Sequence, residues 1–213
     1  MLNMKEDYHV HTNFNDHSPS NLSVRNVIKV ADQIGLDTIA LTEHVRESSE
    51  WIPDYLDEID KAKANKPRVK IITGFEAKIL ENGTIDFPEE YSKYFVIASF
   101  HTKYGDKNKW IHALETAIKC SYVNVIGHLA PEQSFNLDDS ELHELAILFY
   151  KYNQTVELNA KYKRPPLDWL RIFRKQKIPL HLGSDAHRLQ DIGNFHSIRN
   201  LIAYVESGIE EDN

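Results

Sequence analysis

Asp7-Tyr8-His9-Val10-His11 is the stretch on which the fold turns. It is short and strand-like and carries two histidines at alternate positions, so both imidazoles leave one face. Packing alone gives no reason to set two titratable rings side by side. A divalent cation does, because neutral imidazole is a common metal ligand. Near the other end of the chain, Ser184-Asp185-Ala186-His187 offers a carboxylate and another ring. If the two stretches serve one ion, the first and last strands must meet, and the sheet between them must curl.

Between these stretches, short apolar runs alternate with longer runs at helical spacing. Strands are expected over 8–11, 38–41, 69–72, 94–100, 123–126, 155–158 and 179–182. Helices are expected over 22–35, 53–65, 109–119, 138–152, 166–175 and 195–206. Val24, Val27, Ile28, Ala31 and Ile34 give the clearest helical face, closed by Gly35. Asn82-Gly83 marks a hairpin turn after the third strand. About seven β–α units without a Gly-, Ser- or Pro-rich linker imply an α/β protein with a parallel sheet, a single domain over 1–213. Closed on itself, this is a compact relative of the eight-fold barrel; an open doubly wound sheet is the alternative.

Composition narrows the functional classes. At 213 residues, with 41% hydrophobic and 27% charged residues, the chain can bury a sizeable core. A net charge of −7 argues against a surface that attracts nucleic acid or anionic membrane. No apolar run approaches the length of a membrane span, and Met1-Leu2-Asn3-Met4-Lys5-Glu6 has no apolar leader core, so a cytoplasmic location is expected. Cys120, the single cysteine, is expected as a buried thiol in an amphipathic helix.

The polar residues fall in register. The C-terminal strand ends carry His9 and His11, then Glu43 and His44, Glu76, His101, His128, Glu157 with Asn159, and finally Asp185 with His187. That is the end of an α/β barrel where active sites are built. Of the eleven histidines, His112 and His143 fall in helices, His196 in the C-terminal segment and His181 inside a strand. The first three read as surface or packing residues, and His181 as a hydrogen-bonded core histidine, with a place behind the ligands as the alternative. His9, His11, His17, His44, His101, His128 and His187 remain, with Glu76 and Asp185. Nine candidate ligands exceed the four or so that one zinc takes, so the count points to two or three metals sharing carboxylates.

Asp7-x-His9-x-His11, Thr42-Glu43-His44, Gly74-Phe75-Glu76, Phe100-His101, Gly127-His128 and Ser184-Asp185-Ala186-His187 occur in the order found in the polymerase and histidinol phosphatase (PHP) family, which this chain resembles from Asp7 to about Phe195. The resemblance implies a distorted, TIM-like (β/α)7 barrel with a three-metal centre at the C-terminal strand ends, and phosphoesterase activity. Carried over by motif, His9, His11, Glu76 and Asp185 would hold the first metal. Glu76 as a bridge would hold the second with His101 and His128. His17, His44 and His187 would hold the third. Many members place an Asp in the loop of His17, and Asp16 is the alternative ligand there. Glu43 stands where many members have Asp, and is expected outside the set of ligands. Such donors accept Zn, Mn or Fe.

The expected reaction is hydrolysis of a small phosphorylated substrate, similar to histidinol phosphate, by attack of a metal-bridging hydroxide. Glu76 would set the metal spacing and Asp185 would orient the nucleophile. Arg164, after the sixth strand, and Arg188, directly after His187, are the expected phosphate-binding cations, with Lys161 and Lys103 as weaker candidates. Two rival readings stand beside this one. The first is a nuclease or nucleotide phosphoesterase of the polymerase-associated type, which the net charge argues against. The second is a non-catalytic metal-binding domain, which the full ligand set argues against.

Overall fold

The computed structural model describes residues 2–14, 18–130 and 135–207. Parallel strands β1 (Glu6–Val10), β2 (Thr38–Val45) and β3 (Lys70–Ile79) open the sheet. A two-residue strand, β4 (Ile85–Asp86), folds back antiparallel on β3 through the Asn-Gly turn. The parallel series continues with β5 (Phe95–Ser99), β6 (Val125–Ile126), β7 (Thr155–Asn159) and β8 (Leu180–Gly183). The strand order is β1-β2-β3-β5-β6-β7-β8. Among the described residues six α-helices accompany them: α1 (Val24–Ile34), α2 (Ile52–Ala64), α3 (Lys107–Ile118), α4 (Asp139–Lys151), α5 (Leu167–Lys175) and α6 (Arg199–Ser207).

Local chemistry sets the helix ends. Ser23 caps α1 by accepting from Asn26 N, and Gly35 ends it at φ 77, a left-handed turn that glycine adopts without steric cost. Asp138 and Glu141 form a reciprocal capping box at the start of α4. Each helix turns an apolar stripe to the sheet: Val24, Val27, Ile28 and Ala31 on α1, and Trp110, Ala113, Leu114 and Ala117 on α3. Tyr55 of α2 is fully buried and donates to the carbonyls of Leu41 (2.8 Å) and Gly74 (3.1 Å), which pins that helix across β2 and β3. Burying a large apolar side chain contributes roughly 1.5–3 kcal/mol.

The barrel closes where the ligand pattern requires it. Just beyond β8, Asp185 N donates to His9 O at 2.8 Å and His11 N donates to Ala186 O at 3.0 Å, with Val10 bridging Ala186 in parallel. The Asp7 carboxylate clamps the seam by accepting from Ser184 N (2.9 Å) and Gly193 N (2.8 Å). A nearly closed (β/α)7-type barrel is therefore observed, and the open sheet is excluded.

Several elements differ from the sequence expectation. β3 runs seven residues past 72, because Gly74 to Val45-paired Ala77 keep hydrogen-bonding partners in both β2 and β5. Glu76 consequently sits within the strand rather than at its end. β6 shrinks to two residues, as Asn124 turns its side chain to accept from Val96 N at 2.8 Å. The α3 helix stops at Ile118, so Cys120 lies beyond it and is half-buried rather than buried. The closing helix begins at Arg199, after a tight turn over His196–Ile198.

One irregularity positions the opening motif. The register between β1 and β2 jumps from Asp7↔Ile39 to Val10↔Leu41, leaving one extra residue in β1. Tyr8 meets Phe95 and His181 across the barrel, the latter at a ring separation of 4.3 Å, while the next residue, His9, meets Glu76. The bulge thus lets consecutive side chains enter the interior. His181 is stacked at the barrel floor with Nδ1 unpartnered, not a hydrogen-bonded core histidine.

Candidate metal centre

Five imidazoles converge on one carboxylate. Glu76 Oε1 lies 3.1 Å from His128 Nε2 and 3.2 Å from His101 Nε2. Glu76 Oε2 lies 2.8 Å from His44 Nδ1, 3.4 Å from His9 Nε2 and 3.5 Å from His11 Nε2. The parallel register pairs Glu76 directly with His44 across β2 and β3. His101 and His128 follow β5 and β6, and Asp185 and His187 follow β8. Asp185 Oδ1 stands 3.4 Å from His11 Nε2 and 3.3 Å from His187 Nδ1.

The set is buried at its base and open at its rim. His9 and His11 are fully buried and Glu76 is 1% exposed, whereas the His44 and His101 side chains are each 28% exposed. Burial opposes ionisation of Glu76, but His9, His101 and His44 outweigh it and hold the carboxyl well below its ordinary value. Asp185 is likewise opposed by burial yet held well below its usual range by His9, His11 and His187. Burial acts to lower His9, and the carboxylates of Glu157, Glu76 and Asp185 override it to raise this ring well above normal. Burial wins at His44, pushed down to about 4, so this imidazole is neutral at physiological pH, the form that binds metals. Two buried carboxylates facing this many rings call for positive charge, which protons or cations can supply.

The donors stand close enough together to hold a divalent cation. Glu76 Oε2 has three imidazole nitrogens within 3.5 Å and accepts a well-directed hydrogen bond from none of them. Nitrogens and oxygens crowded this closely, with His9 Nε2 and His11 Nε2 only 3.1 Å apart, are what a ligand set for a shared cation presents. Three overlapping groups have donor atoms within 4.8 Å of one another: His9, His11 and Glu76; His44, Glu76 and His101; His11, His44 and His187. The third group brings His11 to His44 and His187, a grouping the motif carry-over did not make. His17 and its alternative Asp16 lie outside the described residues.

A supporting shell, absent from the sequence-derived ligand set, holds these rings. Glu157 Oε1 is 2.6 Å from His9 Nδ1, and Glu157 Oε2 accepts from the His128 backbone N–H at 2.6 Å. Asn159 donates to Glu157 Oε2 and to Asp185 Oδ2. Glu43, fully buried, accepts from Thr12 and lies 3.5 Å from His11 Nδ1. The signal was present as Glu157-x-Asn159 on β7, the same alternation as His9-x-His11 on β1. Gly183 makes room for this shell: a Cβ there would collide with Glu157 Oε1 and stand 2.8 Å from His9 Cβ. The backbone is strained at two would-be ligands, His128 (φ 25) and Asp185 (φ 54), as is common where geometry is dictated by function. Exchanging Glu157 for Gln should weaken divalent-metal binding about 10- to 100-fold in titration calorimetry with the fold intact. Unchanged affinity would show that His9 needs no carboxylate behind it.

The expected cations lie apart. The Arg188 guanidinium forks onto Asp191 at 2.8 and 3.2 Å and its side chain is 66% exposed. Arg164 pairs its backbone with Asn159, and no contact joins its guanidinium to the centre among the described residues. Lys161 does reach it, with Nζ 2.9 Å from Asp185 Oδ1. His112 and His143 sit on α3 and α4, and His196 lines a cavity of about 730 Å³ shared with Asp185 and His187.

The chain resembles known proteins along most of its length. It is 28% identical over 204 residues to the DNA polymerase/3'-5' exonuclease PolX of Bacillus subtilis, covering 88% of this chain but only 35% of that protein. It is 29% identical to a "Probable phosphatase" of Caldicellulosiruptor bescii, covering 95% of this chain and 88% of the relative. A "Probable phosphatase" of Vibrio campbellii is 31% identical, with 96% and 86% covered. The crystal structure of the "putative histidinol phosphatase hisK" from Listeria monocytogenes superposes with a TM-score of 0.74 at 21% identity, over 91% of this chain and 99% of that one, a likeness of fold. The PHP domain model matches residues 7–162, a stretch that takes in the strand ends from His9 to Asn159, and the chain therefore belongs to the PHP domain family.

Proposed function

We propose that the chain hydrolyses a small-molecule phosphomonoester at a centre of three divalent cations, Zn, Mn or Fe, held by the strand-end residues. The observation that carries this reading is the convergence of five imidazoles on the buried Glu76 carboxylate, with an oxygen that none of them satisfies. The relatives named as phosphatases supply the reaction class. His9, His11, Glu76 and Asp185 would hold one cation, and Glu76, His101 and His128 a second. His44 and His187 would hold the third, with His17 from outside the described residues.

Bound cations would acidify water and offset charge developing on the phosphoryl oxygens. The chain's own residues do the rest. Glu157 fixes the tautomer and direction of His9, since its carboxylate accepts from Nδ1 and leaves Nε2 to face the centre. Asn159 holds Asp185 Oδ2, leaving Oδ1 toward His11 and His187. The cavity beside Asp185 and His187 has room for the organic part of a small substrate. Arg164 and Arg188, on the loops after β7 and β8, could reach a phosphate only by turning from their present partners or positions.

A nuclease or nucleotide phosphoesterase is the second reading, favoured by the relation to PolX. One panel separates the two. Metal content is measured first, then release of phosphate from p-nitrophenyl phosphate, histidinol phosphate and nucleotides, and degradation of single-stranded DNA, with Mn, Zn or Fe added. Turnover of the small monoesters above the nucleic acid is expected. Preference for DNA would move the assignment to the second reading, and a fully metallated chain inert towards every ester would be a binding domain.

A further inference from the structure

The loop after β7 crosses the mouth of the metal centre and carries a cation into it. Asn159 closes this loop on itself: its backbone pairs with Arg164 at 2.9 and 3.2 Å, and its side chain accepts from Tyr162 N at 2.8 Å. The Tyr162 ring lies 4.7 Å from the ring of His128, on one side of the mouth. Lys161 Nζ stands over that Tyr162 ring, 5.0 Å from its centroid, and lies 2.9 Å from Asp185 Oδ1 and 3.2 Å from His187 Nδ1. Its side chain is 38% exposed, so the group keeps its charge at neutral pH and works as a fixed cation rather than as a proton donor.

Besides its place over the Tyr162 ring, that ammonium makes two hydrogen-bonding contacts, both to residues proposed to bind metal. A divalent cation held by Asp185 and His187 would repel the ammonium, which now lies 2.9 and 3.2 Å from those residues. The side chain would then turn toward the cavity of about 730 Å³ that it lines with His187, Asn194, His196 and Ser197. There are few competing claims on an anion at this point. Arg188, on the same wall, is already paired with Asp191, and Ser197 Oγ donates to Ala160 O at 2.5 Å.

We propose that Lys161 supplies the ammonium that grips a phosphoryl oxygen where the metal centre opens into this cavity, a role that rests on the phosphoesterase reading above. Lys161 is therefore a substrate-binding residue set by the β7 loop, and the cavity behind it receives the group esterified to the phosphate.

The test uses inorganic phosphate as the probe and the metal-replete chain. Phosphate affinity is measured by calorimetry, and metal content by elemental analysis, for the parent chain, Lys161→Met, Lys161→Arg and Arg188→Met. Lys161→Met should bind phosphate about 10- to 100-fold more weakly, the effect of losing one charge-assisted contact, with metal content equal to the parent's or higher. Lys161→Arg should recover most of the affinity, because a cation of similar reach is restored. Equal phosphate affinity in Lys161→Met overturns the proposal. Loss of metal in that variant, or a larger loss of phosphate affinity in Arg188→Met, does so too. The two readings can fail separately. A parent chain that grips phosphate through Lys161 yet cleaves no ester retains this site and loses the hydrolase assignment. One that cleaves esters with phosphate affinity indifferent to Lys161 retains the assignment and loses this site.

Discussion

Glu76→Gln is expected to empty the centre. The substitution keeps the shape of the side chain and removes the charge around which His9, His11, His44, His101 and His128 are gathered. An amide offers one oxygen where the carboxylate offers two, and it places an NH₂ among nitrogens that need an acceptor or a cation. Metal content should fall by at least two equivalents if Glu76 bridges two ions, and phosphate release by about 10³-fold or more, beyond the 10- to 100-fold typical of losses in a supporting shell. The variant should remain folded by circular dichroism, since the exchange leaves the backbone pairing of residue 76 with β2 and β5 untouched and the Glu76 side chain joins no strands by bonding to their backbone. Full metal stoichiometry in this variant would remove Glu76 from the ligand set.

Asp185→Asn should be nearly as costly and separates charge from strain. Asp185 has φ 54, and Asn is among the few side chains that accept this region, so the barrel seam is preserved. The backbone bond from residue 185 to His9 O, 2.8 Å long, is unaffected. What disappears is the negative charge that faces His11, His187 and Lys161. The expected result is an unchanged melting profile without metal, loss of one equivalent of cation and a drop in turnover of about 10²- to 10³-fold. Normal turnover would dismiss the first metal site as drawn. A collapse of the fold would instead mark Asp185 as a structural clamp, a part that Asp7 already plays through Ser184 and Gly193.

Much of this architecture is local and could be read in the chain. Apolar periodicity identified the β–α units, Gly35 and the Asp138–Glu141 box ended or began helices where they were expected, and Asn82-Gly83 turned the hairpin. The donor types at strand ends were equally plain, because alternation along a strand fixes which residues share a face. Even closure followed from residues alone: ligands in β1 and after β8 can share an ion only if the sheet curls.

Other features depend on distant parts of the chain and could not be read locally. The bulge that sends both Tyr8 and His9 inward is a mismatch between β1 and β2, a property of the pair and not of either strand. Glu157 was visible but ambiguous, since its task is defined by His9, 148 residues away, and by the space that Gly183 leaves open. The cations were hardest to rank. Arg164, Arg188 and Lys161 are alike as sequence, long charged side chains on loops, and their reach depends on neighbours. Asp191 occupies Arg188, while the Asn159-closed loop delivers Lys161 to Asp185. The sequence by itself determined the kinds of donor and the order of the strands, because both follow from periodicities of two and 3.6 residues. Which donors converge, and which positive charge stands beside them, was decided only when strands far apart in the chain were brought within 3 or 4 Å, the range over which ligation and hydrogen bonding act.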